Sequence, residues 1–151
     1  MKPARLLVIV VLAVVLTAAL AAGAGAAKKP VAVHASIELT AFSQGGPQGV
    51  AYLKRVGTRL TGWIVVWGLA PGTSHAWHVH GPQGSCTGTQ ANPVASDDDL
   101  VADANGVAYV KVSTTSALNV IRRGFYLNVH ELGSADGVGA GITCGNIRRS
   151  L

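Results

Sequence analysis

The sequence predicts an all-β domain, a sandwich or barrel, behind an N-terminal leader. Three observations carry that prediction. No helical period follows the leader. Short runs rich in Val, Ile, Thr and Tyr recur at close spacing, separated by Gly, Pro and Asn. Glycine supplies 19 of the 151 residues, a proportion that a turn-rich β protein explains.

Taken in order, the chain opens with Lys2 and Arg5, runs uncharged from Leu6, and then turns to small residues. Ala24-Gly25-Ala26 fits the small-x-small pattern that signal peptidase reads, so 1–26 is read as a signal peptide. The stretch 6–27 is also long enough to span a bilayer as an uncleaved anchor. Its Ala and Gly content toward the end suits cleavage better. It holds no cysteine, which excludes a bacterial lipid anchor there. Cleavage leaves about 125 residues, one domain with a single core.

An N-terminal strand region follows at 27–44, where 31–42 alternates and "SQGGPQ" breaks the run. A second strand at 49–56 leads into Gly57-Thr58, a two-residue hairpin turn, and a third at 59–69 ends in "APGTS". "HAWHVH" at 75–80 is a short fourth strand. The segment 81–99 is polar and rich in Gly and Pro, and reads as a loop; one that long in a compact domain is usually functional. A turn at 102–106 precedes a strand at 107–113, and the last strands are 124–132 and 139–147. Residues 148–151 form a basic tail.

Charge narrows the partners. Lys2 and Arg5 leave with the leader, so 12 basic residues become 10 against 7 acids and the mature charge is +3. No basic stripe with interleaved aromatics is present, which argues against nucleic acid. Lys28-Lys29 and Arg148-Arg149 read as solvated tails. After cleavage no stable membrane association is expected, and the destination is secreted or periplasmic. Cys86 and Cys144 would meet an oxidising compartment there and could pair, closing a 58-residue loop. Two buried thiols that never meet is the alternative.

Three of the five histidines lie in "HAWHVHG". On a strand, side chains at i and i+2 share a face with Cα atoms roughly 7 Å apart. His78 and His80 can therefore converge on one metal ion, while Trp77 and Val79 point to the core. Parity sets His75 on the opposite side, as a buried, hydrogen-bonded structural histidine. His130, in the apolar "YLNVHE", would be costly there without a partner. It is either a third ligand or the partner of a neighbouring hydrogen-bonding group. Three neutral imidazoles suit copper or zinc.

"HAWHVHG" resembles the H-G-F-H-V-H segment of the copper/zinc superoxide dismutases. "DLVADANGVA", "YLNVHE" and "GITCGNI" resemble that family's Asp-Leu plus Asp-x-x-Gly stretch, its later copper-histidine strand and its closing A-C-G-V-I. The motifs fall in the family's order over 45–147. A weaker resemblance is to the chordin-type CHRD domain, a structural or interaction module, through its "HxHGP" and "YxNVH" segments. The dismutase resemblance implies a Greek-key β-barrel, copper ligands at His78, His80 and His130, a structural His75 and a Cys86–Cys144 disulfide. It implies one copper per chain, with superoxide or a copper ion as the small partner.

The departures are chemical. Gln90, in "QANP", stands where the family's bridging histidine would be, and is at most a weak fourth ligand. No histidine lies between His80 and His130, and a single Asp among Asp97, Asp98 and Asp99 does not make a zinc site, so zinc is not expected. Gly141 stands where the family has its substrate-guiding Arg; Arg122 and Arg123 lie elsewhere. The expected reaction is dismutation of superoxide, weakened by these losses. A copper-binding protein without fast turnover and a metal-free CHRD-type module are the alternatives.

Overall fold

The computed structural model describes residues 29–88 and 90–150; the signal-peptide assignment to 1–26 lies outside them. Among the described residues ten strands form: β1 Val33–Ala41, β2 Gln48–Val56, β3 Arg59–Trp67, β4 Ser74–His75, β5 Trp77–His80, β6 Pro93–Ala95, β7 Leu100–Val101, β8 Val107–Thr115, β9 Tyr126–His130 and β10 Gly141–Asn146. Eight of them make one antiparallel sheet in the order β6-β5-β9-β10-β1-β2-β3-β8, and β4 pairs with β7 apart from it. The sheet curls into a nearly closed barrel. Its edge strands β6 and β8 are joined by side chains instead of a ladder. Ser116 Oγ donates to the Val94 carbonyl at 3.5 Å, and the Ser113 N–H donates to Asp97 Oδ2 at 2.6 Å. Among the described residues no helix is long and apolar enough to cross a membrane.

Alternation builds the core. Ala35, Ile37 and Leu39 of β1, Ala51 and Leu53 of β2, Ile64 and Val66 of β3 and Val110 and Val112 of β8 face inward. Their neighbours Ser36, Glu38, Thr40, Tyr109 and Lys111 face out. Val56 pairs with Arg59 across the two-residue turn, where Gly57 takes the positive φ of 60° that the tight hairpin needs. Strand β1 lies inside the sheet, between β10 and β2, so Val33–Ala41 is part of the same barrel.

Two readings of the chain are corrected. The 81–99 segment is not all loop: Pro93–Ala95 pairs with β5 as an edge strand. Proline is tolerated at the start of an edge strand, and there it masks the strand signal. The run 75–80 is not one strand either. It breaks at Ala76, whose N–H donates to the Leu132 carbonyl while His75 pairs with Leu100 in the smaller sheet. Counting parity across 75–80 is therefore invalid, and tertiary packing sets the direction of His75.

Candidate metal centre

Strands β5 and β9 are neighbours, with His78 opposite Asn128 and His80 opposite Tyr126. Trp77, Val79, Leu127 and Val129 fill the core from these strands. His78, His80, Tyr126, Asn128 and His130 fall on the other face by the two-residue period. That face is not open. Tyr126, Asn128 and His130 are buried as well, which makes β9 buried along its whole length. Gln90 and Ala91 bond His80 and Tyr126 on that face, and a disulfide between Cys86 and Cys144 of β10 ties the preceding segment down. The bond suits a non-reducing compartment.

The structure brings His78, His80 and His130 together. One ring nitrogen from each lies within 4.8 Å of the other two, and among the described residues no other group of three potential metal ligands does so. Ring centroids are separated by 4.9 Å for His78 and His130, 5.6 Å for His78 and His80, and 5.7 Å for His80 and His130.

Backbone carbonyls decide which nitrogen two of the rings present. His80 donates its Nδ1–H to the Ala91 carbonyl at 2.7 Å. Its Nε2 is buried with no hydrogen-bond partner among the described residues. His130 donates its Nδ1–H to the Gly139 carbonyl at 3.2 Å, and its Nε2 lies 3.1 Å from His78 Nδ1. Two lone pairs are thus fixed by the groups behind the rings, the arrangement common to metal-binding histidines. Ligand atoms about 2 Å from one ion stand ~3.3 Å apart at a tetrahedral angle, so the His78–His130 pair already has a suitable separation. The third nitrogen has to close by ~1.5 Å at most, within a modest rotamer change.

The local electrostatics disfavour the charged form of His78 and His130. Burial lowers the pKa of His78, the nearby His130 and His80 lower it further, and Asp99 opposes them. Burial also lowers that of His130 against the raising effect of its bond to Gly139, with His80 adding to the fall. Neutral imidazole is the form that donates to a metal.

The remaining residues of the sequence reading take other places. His75 is buried, donates its Nδ1–H to the backbone carbonyl of His130 at 2.8 Å, and has Nε2 2.7 Å from Thr73 Oγ1. It touches the site through the main chain of a candidate ligand. The amide oxygen of Gln90 accepts from the Tyr126 hydroxyl at 3.2 Å, so that lone pair is already engaged. Asp97 holds Ser113, and Asp99 holds Ser74 and Ser134. Burial favours the neutral form of Asp99, yet the bonds from Ser134 and Ser74 outweigh it and lower its pKa. Gly141 pairs with His130, and a Cβ built there would lie 2.7 Å from the Asn128 amide, so any side chain would displace Asn128. Arg122 and Arg123 precede β9, at the end away from His130.

No protein-family model and no curated protein matches the chain. The chemistry of the site rests on its own donors.

Tyr126 is the site residue that sequence reasoning missed. Its ring stacks on His80 at 5.0 Å and 10°. Its hydroxyl accepts from the Ala91 N–H at 3.2 Å, the same residue whose carbonyl holds His80. The available signal was parity: Tyr126, Asn128 and His130 share one face of one strand.

Proposed function

We propose that this is an exported copper protein in which His78, His80 and His130 hold one copper ion, with dismutation of superoxide as its reaction. The observation that carries the reading is the buried Nε2 of His80, without a partner among the described residues, on a ring that offers a nitrogen within 4.8 Å of those of His78 and His130. An unpaired buried acceptor costs about 1–3 kcal/mol, and an ion removes that cost. Three neutral imidazoles without thiolate or carboxylate suit copper, and zinc is the competing occupant. In the sheet order β3 neighbours β8 and β5 neighbours β9, so connections cross over intervening strands, which supports a Greek-key barrel of dismutase type.

Copper held there would supply one-electron cycling, so that two superoxide ions and two protons give oxygen and hydrogen peroxide. The chain's own residues do the rest. Ala91 and Gly139 keep Nε2 of His80 and His130 unprotonated and aimed. His78, only half-buried, leaves the approach on its side. Protons come from solvent, because Gln90 offers an amide where a histidine would carry one. Gly141 offers no charge to draw in an anion, a loss that can amount to 10- to 1000-fold in on-rate.

That last feature favours a second reading, in which the same site stores copper without fast turnover. Metal analysis of the exported protein from copper-supplemented cells, followed by a dismutase assay, tests both. One copper per chain with activity supports the first reading, and copper without activity supports the second. Uptake of neither copper nor zinc would leave a metal-free module of the CHRD type.

A further inference from the structure

Arg122 and Arg123, left unplaced by the sequence, meet Arg148 and Arg149, read there as a solvated tail, in the fold. Strands β9 and β10 are antiparallel with Asn146 opposite Tyr126, so the residues just before β9 and just after β10 leave the sheet at the same end. Arg122, Arg123, Arg148 and Arg149 line one concavity of about 420 Å³ there. Arg123 and Arg148 also line an adjoining hollow of about 320 Å³ beside Gly84 and Ser85 of the disulfide loop. All four side chains are exposed, and Arg122 rests on Phe125 with its guanidinium 5.3 Å from the ring centroid.

Acidic groups gather at the other end. Glu131 follows the far end of β9, and Asp99 bonds Ser134 just beyond it. The body is thus electrically polarised along β9. Four crowded guanidiniums repel one another, so fold stability does not call for the cluster.

The chain also enters the body at the arginine end. Val33, the first residue of β1, lines the same concavity, and the Ser150 N–H donates to the His34 carbonyl at 2.8 Å. Lys28 and Lys29, which stay on the body after cleavage at 26, precede Val33 by at most five residues, ~17 Å of chain, and add to the same basic end. We propose that the arginine end docks the body on an anionic membrane surface, its guanidiniums binding lipid phosphates. Guanidinium pairs with phosphate through two parallel hydrogen bonds, and each cation near an anionic surface adds to the attraction. The charge polarity turns the arginine end to the surface and leaves the histidine face on the flank.

The test uses the protein as cells export it, whatever its N-terminus. Co-sedimentation is measured with vesicles of phosphatidylcholine alone and with phosphatidylglycerol mixed one to three with it. Binding should require phosphatidylglycerol and vanish at high salt. The triple variant Arg123→Gln, Arg148→Gln, Arg149→Gln should bind on the order of 100-fold more weakly. It keeps Arg122 on Phe125, and an unchanged melting temperature confirms that it is folded. If it does not fold, Arg148→Gln alone should still weaken binding about fivefold. Lys111→Gln, opposite Trp63 in the middle of the barrel wall, should change binding little. Equal binding to both vesicle types would point to a retained apolar leader and overturn the proposal. So would undiminished binding by the arginine variants. Calorimetric binding of tripolyphosphate without vesicle binding would assign the arginines to a free anion and overturn membrane docking.

Discussion

Replacing both Cys86 and Cys144 by serine probes how the segment bonded to the outer face of β9 is held. The disulfide closes a 58-residue loop. On the chain-entropy account that constraint is worth ~4 kcal/mol at 25 °C. A body of about 120 residues unfolds with an entropy of ~0.25 kcal/mol per kelvin, so the midpoint should fall by ~15 °C. The loss should also be local. The loop held at Cys86 runs on to Ala91, whose carbonyl fixes the tautomer of His80 and whose N–H bonds the Tyr126 hydroxyl. Freed at Cys86, that segment should exchange its amide hydrogens faster, and copper affinity should drop ~10-fold through the loosened support of His80. Scanning calorimetry, hydrogen exchange over 81–92 and a copper titration read the three effects. A midpoint lowered by less than ~5 °C, with exchange unchanged over 81–92, would refute the reasoning and show that packing alone holds the segment.

Single alanine substitutions of His78, His80 and His130 should each remove stoichiometric copper and its nitrogen-coupled spin-resonance signal. His75→Ala should keep the copper signal but destabilise the fold by about 1–3 kcal/mol, because the buried His130 carbonyl loses its donor; calorimetry beside spin resonance separates the two. Tyr126→Phe keeps the ring on His80 but strands the Ala91 N–H and Gln90, so copper affinity should fall ~10-fold with little change in secondary structure, as a titration with circular dichroism would show. Without metal, stability should decline below about pH 6.5. The unfolded chain takes up protons at the ordinary histidine value of 6.5, whereas His78 and His130, lowered chiefly by burial, take them up only at lower pH. Their contribution is therefore fully present above pH 6.5 and is lost as the pH falls, which urea titrations across pH 4–8 would follow. A rise in stability on acidification over that range would contradict the assignment.

The longer strands of the barrel were legible in the sequence, because alternation with period two and Gly- or Pro-marked turns are local signals. It also placed His78 and His80 on one face, since two residues of extended chain suffice for that. It did not show the edge strand at Pro93–Ala95, where proline and a polar loop mask a pairing that β5 supplies. Nor did it show the break at Ala76, which arises because that residue's N–H and carbonyl bond to Leu132 and His130. Which nitrogen His80 and His130 present was decided only by the fold, through the carbonyls of Ala91 and Gly139. The same holds for the segment bonded to the outer face of β9, tied by cysteines far apart in the chain. Hydrogen bonds to carbonyls and contacts between distant segments depend on three-dimensional neighbours. Periodicity carries no information about those, so a chain read one residue at a time names the ligands but not the shell that aims them.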